Sequence, residues 1–325
     1  MFAYLIRRVL YAIPVLIGVN LFTFALFFYV NSPDDMAQMQ LGQKRVTPEA
    51  IEKWKAERGY NKPMFVNERA EGLTTLTDTV FFQKSASLFY FDFGTSDDGR
   101  DIGYEIEQRM WPSLAIALPS FLAGLACYIS IALVLAFFRA TQVDFWGVVL
   151  CVAAMSVSGL FYIIGGQWLV SKLWHWVPIS GYTGGSEGWR FVVLPVLIGV
   201  VGGIGASARL YRTIFLEEMG KDYVRTARAK GLSEAKVLFG HVLRNGMIPI
   251  LTGVVVAIPS LFIGSLVMES FFGIPGLGSY TIDAIQSQDF QIVRSMVFLG
   301  SFLYILGLML TDISYTLADP RVRLR

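Results

Sequence analysis

Charge is scarce in this chain: 16% of its 325 residues are Asp, Glu, Lys or Arg, against about 25% in soluble globular proteins. That excludes a disordered chain, which needs high charge and low hydrophobicity. With 54% hydrophobic residues, it also excludes an ordinary soluble enzyme. The net charge of +2 is too small for a nucleic-acid binder. The two cysteines, Cys127 and Cys151, both fall inside apolar runs, which argues against a disulfide framework or a cysteine-based zinc site. The two histidines, His175 and His241, lie far apart and leave little material for histidine-based catalysis or metal binding. A phosphate-binding loop is also missing. The one Gly-Lys pair, Gly220-Lys221, is followed by Asp222 where such a loop needs Ser or Thr, and the preceding glycine is absent. No catalytic, metal or cofactor residue is expected on this chain.

What the chain has in quantity is long apolar runs. A membrane-spanning helix needs about 20 mostly apolar residues. Six such stretches are expected: 9–30, 113–138, 146–171, 191–210, 247–272 and 293–315. The first follows Arg7 and Arg8, contains Pro14, and is too long for the core of a signal peptide. It reads as a retained helix. Trp111, Trp168, Trp174, Trp176 and Trp189 stand at the ends of runs, as interface aromatics do. The fold class is therefore all-α and polytopic.

Residues 31–110 differ in kind, with 14 acidic and 10 basic side chains. They form an extramembrane segment. Within it Thr47 can cap a helix that starts at Pro48 and stops at Gly59. Residues 73–93 carry Phe81, Phe82, Phe89, Tyr90, Phe91 and Phe93 and are expected to pack on the membrane surface or the bundle. The domain reading is a first helix over 1–30, this segment, and a five-helix core over 111–325.

Orientation follows from Lys and Arg in the short loops. With the N-terminus inside, the inner face holds Arg7, Arg8, Arg139, Arg321, Arg323, Arg325 and a dense cluster over 209–244 with eight basic residues. The short outer loops hold Lys172, Arg190 and Arg294. Six spans then place both termini inside. The basic loop, 211–246, is patterned as well as charged. Residues 213–230 read as one helix stopped by Gly231. Ser233 can cap a second helix whose Ala235, Leu238, Phe239, Val242 and Leu243 share one apolar face. Two short helices on the membrane surface can serve either as a lipid-headgroup contact or as a docking element for a partner.

Here the residues resemble a known family. The stretch YVRTARAKGLSEAKVLFGHVLRNGMIPIL, beginning at Tyr223, is similar to the coupling-loop signature of the dipeptide, oligopeptide and nickel permeases of ABC importers. Arg225-Thr226-Ala227 stands where the general signature has Glu-Ala-Ala, and Gly231 is kept. The opening YLIRRVLYAIPVLIGV, Phe91-Asp92-Phe93-Gly94-Thr95-Ser96, Trp111-Pro112-Ser113, Glu269 with Phe272-Gly273-Ile274-Pro275-Gly276-Leu277-Gly278, and Asp312-Ile313-Ser314-Tyr315 with Asp319-Pro320-Arg321 follow in the family's order. Asp289-Phe290-Gln291 departs from the family's Asp-Tyr-Pro. Residues 34–88 are the least covered.

The resemblance implies the type I importer permease fold, with a large extracytoplasmic insertion after the first helix. It implies a bacterial inner-membrane protein that forms half of a translocation pathway. It also implies a second homologous permease subunit as heterodimer partner, two ATPase subunits carrying ATP and Mg, and an extracytoplasmic substrate-binding protein, beside membrane lipid. Tyr223, Arg225, Thr226, Ala227, Arg228, Ala229, Lys230, Gly231 and Leu232 are the expected ATPase-coupling residues. Glu269, Phe272, Pro275, Gly276 and Gly278 are the expected pathway or gate residues; a carboxylate inside a membrane usually faces a cavity or a partner. Gly199, Gly202, Gly203 and Gly205 read first as packing positions. The substrate class expected is peptides, with a nickel complex, glutathione or a peptide antibiotic as the alternatives.

Three other classes compete. An intramembrane serine protease would need a base near Ser158, and neither histidine lies in a span. An ion-coupled secondary transporter often shows repeated halves and midplane charge, and neither is visible. A scaffold that binds through its long outer segment would be indifferent to the basic loop.

Overall fold

The computed structural model describes residues 2–30, 32–42, 47–68, 70, 72–184 and 187–318. Asn31 and the terminal Asp319, Pro320, Arg321, Arg323 and Arg325 lie outside the described residues. Among the described residues the structure is helical, with one isolated β-bridge between Thr95 and Asp101. Five helical stretches among the described residues are long and apolar enough to cross a membrane: Ile6–Phe28, Ile102–Phe137, Trp189–Met219, Glu234–Phe262 and Phe290–Ile313. A sixth arises if Gln142–Ser156 and Gly159–Leu173 count as one span bent by 90°. The expected six spans hold on that count.

The chain divides into two compact units, each discontinuous in sequence. One comprises Met1–Glu107 with Asp283–Ile305, the other Gln108–Ile282 with Leu306–Arg325.

The first unit begins with α1 (Phe2–Val30), which runs on through Pro14. α2 (Pro33–Leu41) starts from a capping box, in which Ser32 and Asp35 satisfy each other's backbone donors. α3 (Pro48–Arg58) is as the sequence predicts: Thr47 caps it, Pro48 opens it and Gly59 ends it with φ +73°. α4 (Thr74–Thr77) and α5 (Val80–Phe89) follow. Several of these aromatic residues pack on the helices, whereas Phe82 and Tyr90 are exposed. Phe24 of α1 is fully buried with Phe65 and Phe81 around it at ring distances of 5.4 and 5.3 Å. Phe89 and Phe91 set their rings against Phe298 and Phe302 at 5.3 and 5.0 Å. Met36, Ala37 and Trp54 form a second core, with Trp54 stacked on Tyr60.

Two of the recognised motifs meet in this unit although nearly 200 positions separate them. The Gln291 amide donates to the Phe93 carbonyl at 2.8 Å. The Asp289 carboxylate accepts from the Asp97 N–H at 2.7 Å and, as an N-terminal cap, from Ile292 at 3.1 Å.

The second unit holds the rest of α6 (Ile102–Phe137), α7 (Gln142–Ser156), α8 (Gly159–Gly166) with a π-helical extension Gln167–Leu173, and α9 (Trp189–Met219). The third expected span, 146–171, is not straight. It breaks at Val157 and Ser158, so the Ser156-Val157-Ser158-Gly159 fragment is a corner. α9 lies close against α7: a Cβ at Gly205 would sit 2.5 Å from the Cys151 carbonyl oxygen, so this glycine is a packing position. Arg212 of α9 reaches Asp144 of α7 through two bonds of 2.6 Å.

The basic loop and fifth span also differ from the expectation. Residues 213–230 are not one helix. α9 runs to Met219, stops at Gly220, and α10 (Asp222–Ala229) starts after it. The second expected surface helix is not separate either. α11 (Glu234–Val237), the π turn Leu238–Val242 and α12 (Leu243–Ala257) form the start of the span Glu234–Phe262. That span ends in the 3₁₀ turn Pro259–Phe262. α13 (Leu266–Phe272) is a separate short helix, so the span does not reach residue 272. α14 (Leu277–Ser287) and α15 (Phe290–Ala318) are the last described helices.

Candidate functional site

The basic loop is a small body fixed on one face and open on the other. Val224 and Ala227 of α10 are buried with Phe215, Met219, Val237, Leu238 and Val242. On the opposite face Asp222, Arg225, Thr226, Ala229 and Lys230 are exposed, Arg225 by 74% of its side chain. A helix of eight residues is marginal alone, so this burial holds it. Its ends are tied as well. The Tyr223 hydroxyl donates to Glu218 of α9 at 2.5 Å, and Lys221 pairs with the same carboxylate. Burial, and then the bond to Glu218, push Tyr223 up to about 12, so it stays a neutral donor at physiological pH. On the other side Arg228 forks onto Glu234 of α11 at 2.7 and 3.0 Å.

Gly231 turns the chain between the two helices with φ +79° and open space around it. A side chain is disfavoured there by backbone conformation, not by crowding. Of the expected coupling residues, Arg225, Thr226, Ala229, Lys230 and Gly231 face outward. Ala227 faces the core, Tyr223, Arg228 and Leu232 are half-buried, and Arg228 is already engaged. The apolar face of the following segment is also shifted. Val237, Leu238 and Val242 are buried, whereas Ala235 and Phe239 are exposed. The π turn, with its wider pitch, rotates the buried stripe away from the 3.6-residue pattern.

The second constellation is built around Glu269. The residue is 1% exposed. Oε1 accepts from the Ser113 hydroxyl at 2.8 Å and from the Ser265 N–H at 3.0 Å. Oε2 accepts from the Ser279 N–H at 3.0 Å. Ser113 in turn accepts from the Leu277 N–H at 2.8 Å. One carboxylate therefore ties α6, α13 and the turn into α14 together, through neutral donors. Buried charge is costly unless such donors face it. The turn is tight around it. A Cβ on Gly276 would overlap the carboxylate, and one on Gly278 would sit 2.6 Å from the Ser265 carbonyl carbon. The Ser279 hydroxyl closes the turn by accepting from the Gly276 N–H at 3.0 Å.

Phe272 is 1% exposed among Ile116, Ile163, Leu194, Ile198 and Ile274, and its carbonyl accepts from Gly181 at 2.7 Å. Pro275 is the exposed member of the group. Three sequence motifs, Trp111-Pro112-Ser113, Glu269 and the glycine-rich turn, thus close on one point. Ser113, Ser265 and Ser279 carry no sequence signal of this role, and neither does Asp144. No group of three or more His, Cys, Asp or Glu side chains suited to a metal ion occurs among the described residues.

Comparison with known proteins identifies a family. Residues 109–324 match the family described as binding-protein-dependent transport system inner membrane component, and residues 1–84 match its N-terminal companion. A putative peptide transport system permease protein of Brucella abortus is 34% identical over 99% of both chains. The dipeptide transport system permease protein DppB of Escherichia coli is 28% identical over 99% of both. A probable peptide ABC transporter permease protein of Sinorhizobium fredii is 28% identical over 98% of this chain and 99% of its own.

Proposed function

The chain belongs to the family of binding-protein-dependent transport system inner membrane components, and from that premise we propose that it is one of two permease subunits of an ATP-driven peptide importer. Members of this family are multi-pass inner-membrane proteins that work with a substrate-binding protein and an ATPase. The peptide substrate is carried over from relatives named as peptide and dipeptide permeases. A heterodimer with a homologous permease, two ATPase subunits holding ATP and Mg, and cytoplasmic termini complete the reading. ATP hydrolysis is the work of the separate chains.

The observation that carries the coupling role is the two-sided attachment of α10. It is hydrogen-bonded back to the end of α9 and forward to the first turn of the next span. A displacement pressed on its exposed face is passed directly to two spans. ATP-driven closure of the ATPase would bias the bundle by binding one arrangement of α10 better than another, since a ligand shifts an equilibrium only through differential affinity. Arg225, Thr226, Ala229 and Lys230 are the contact face. Gly231 supplies the turn, and Tyr223, Ala227, Arg228 and Leu232 keep the body rigid. Lipid headgroups border the same loop. Glu269, Gly276 and Gly278 shape the wall of the pathway as positioning residues, with Phe272 packed behind them and Pro275 at the surface.

The test is substrate-stimulated ATP hydrolysis by the assembled transporter in nanodiscs. Arg225→Glu with Lys230→Glu reverses the open face without touching the buried one. The expected result is loss of assembly or of stimulation. Unchanged stimulation and unchanged uptake would overturn the coupling role.

A further inference from the structure

Two cavities meet beside the basic loop. One, of 340 Å³, is walled by Leu133, Val134, Phe137 and Phe138 at the end of α6 and by Leu238 and Phe239 of the π turn. The other, of 280 Å³, is bordered by Arg139, Arg228 and Glu234. Phe137 and Leu238 belong to both. The span Ile102–Phe137 ends and the span Glu234–Phe262 begins at this junction. An apolar cleft passes into a charged one where two membrane helices terminate. A bilayer passes from hydrocarbon to headgroup near the ends of the helices that span it.

The charged half is built, not incidental. Arg139 is exposed and makes no close ion pair among the described residues, though after Arg228 it helps hold the Glu234 carboxyl below its usual range. Its backbone is fixed by the turn that follows. Ala140 has φ +61° and donates its N–H to Asp144 at 3.1 Å, and the Thr141 hydroxyl donates to the Phe138 carbonyl at 2.6 Å. Asp144 is itself held by Arg212. Arg228 is held by Glu234. With one carboxylate against two guanidiniums, the cleft keeps one unmatched positive charge. An apolar helix of another protein would fill the first cavity but bring no negative charge to the excess cation.

We propose that this paired cleft is a binding site for an anionic phospholipid. Its acyl chain lies along Val134 and Phe239, and its phosphate meets Arg139. The site deepens the lipid contact assigned to the loop above. It rests on the loop meeting the membrane surface, not on its meeting an ATPase.

The experiment is native mass spectrometry of the assembled transporter, released from micelles doped with phosphatidylglycerol or phosphatidylcholine. One basic side chain at an anionic lipid surface is worth about fivefold in binding. The wild type should therefore retain phosphatidylglycerol about fivefold over phosphatidylcholine. Arg139→Gln should abolish that preference and leave phosphatidylcholine unchanged. Val134→Trp fills the apolar half from a position already 50% exposed, and should weaken retention of both lipids. Equal retention of the two lipids by the wild type, no effect of Arg139→Gln, or disulfide trapping of Phe239→Cys against another protein chain would overturn the site. The Arg225→Glu and Lys230→Glu pair separates the two readings, because it should stop stimulated hydrolysis while leaving phosphatidylglycerol retention intact.

Discussion

Glu269 illustrates how one side chain can set the shape of a segment through its hydrogen bonds alone. Its oxygens are engaged by donors from residues 113, 265 and 279, so truncation strands two buried donors and a part-buried one together. Each such stranded group costs about 1–3 kcal/mol. With two fully buried donors stranded, Glu269→Ala should destabilise the protein by about 2–6 kcal/mol and lower the yield of assembled complex. Glu269→Gln keeps the shape but turns a donor of its own toward the Ser279 N–H. It should cost about 1–3 kcal/mol, read as a smaller fall in Tm. If both variants melt with the wild type, the knot is not a structural tie. Asp144 is the second such residue, with a side chain 9% exposed and the Arg212 fork on it. Removing one partner of a buried pair costs about 3–5 kcal/mol, so Asp144→Asn should show a comparable loss of Tm. The sequence marked Glu269 because carboxylates are rare in apolar runs. It could not show that Ser113 binds Glu269, since a contact across 156 positions has no local pattern.

At the scale of elements, the basic loop depends on where helices stop. Gly231 has φ +79° and no atom within 4 Å of an added Cβ, which predicts a graded substitution series. Gly231→Asn should be tolerated, because Asn adopts the left-handed conformation readily. Gly231→Val should cost about 1–2 kcal/mol and impair stimulated ATP hydrolysis, with Gly231→Ala between them. Equal activity of all three would remove the turn from the mechanism. α3 was fully legible, since Thr47, Pro48 and Gly59 write both of its ends in local chemistry. The run of spans was legible from hydropathy. The corner at Val157 and Ser158 was not, because hydropathy averages over a window and carries no direction. The merger of α11 with the fifth span was hidden by the π turn. Its register shift answers to burial of Val237 and Val242, not to the 3.6-residue spacing.

At the scale of the whole molecule, the proposed orientation makes a simple prediction. Lys230 and Glu68 are both exposed. In intact cells an impermeant thiol reagent should label Glu68→Cys and not Lys230→Cys, and inverted vesicles should reverse the pattern. The native Cys151 is buried and Cys127 is half-buried, so background should be low. Labelling of Lys230→Cys from outside would invert the topology and, with it, the side on which an ATPase could dock.

The Glu269 tie also carries a timetable. The chain is made from residue 1 onward at about 5–20 residues per second, and Ser113 precedes its acceptor by 156 positions. The serine therefore waits about 10–30 s on the ribosome's clock before Glu269 exists. Both compact units take in sequence from the last third of the chain. A nascent polypeptide released early, by a stop codon or a stalled ribosome, would leave the membrane holding apolar helices with neither unit closed. Such fragments are what a quality-control protease can tell from finished permease, because the residues that seal the molecule are among the last to arrive.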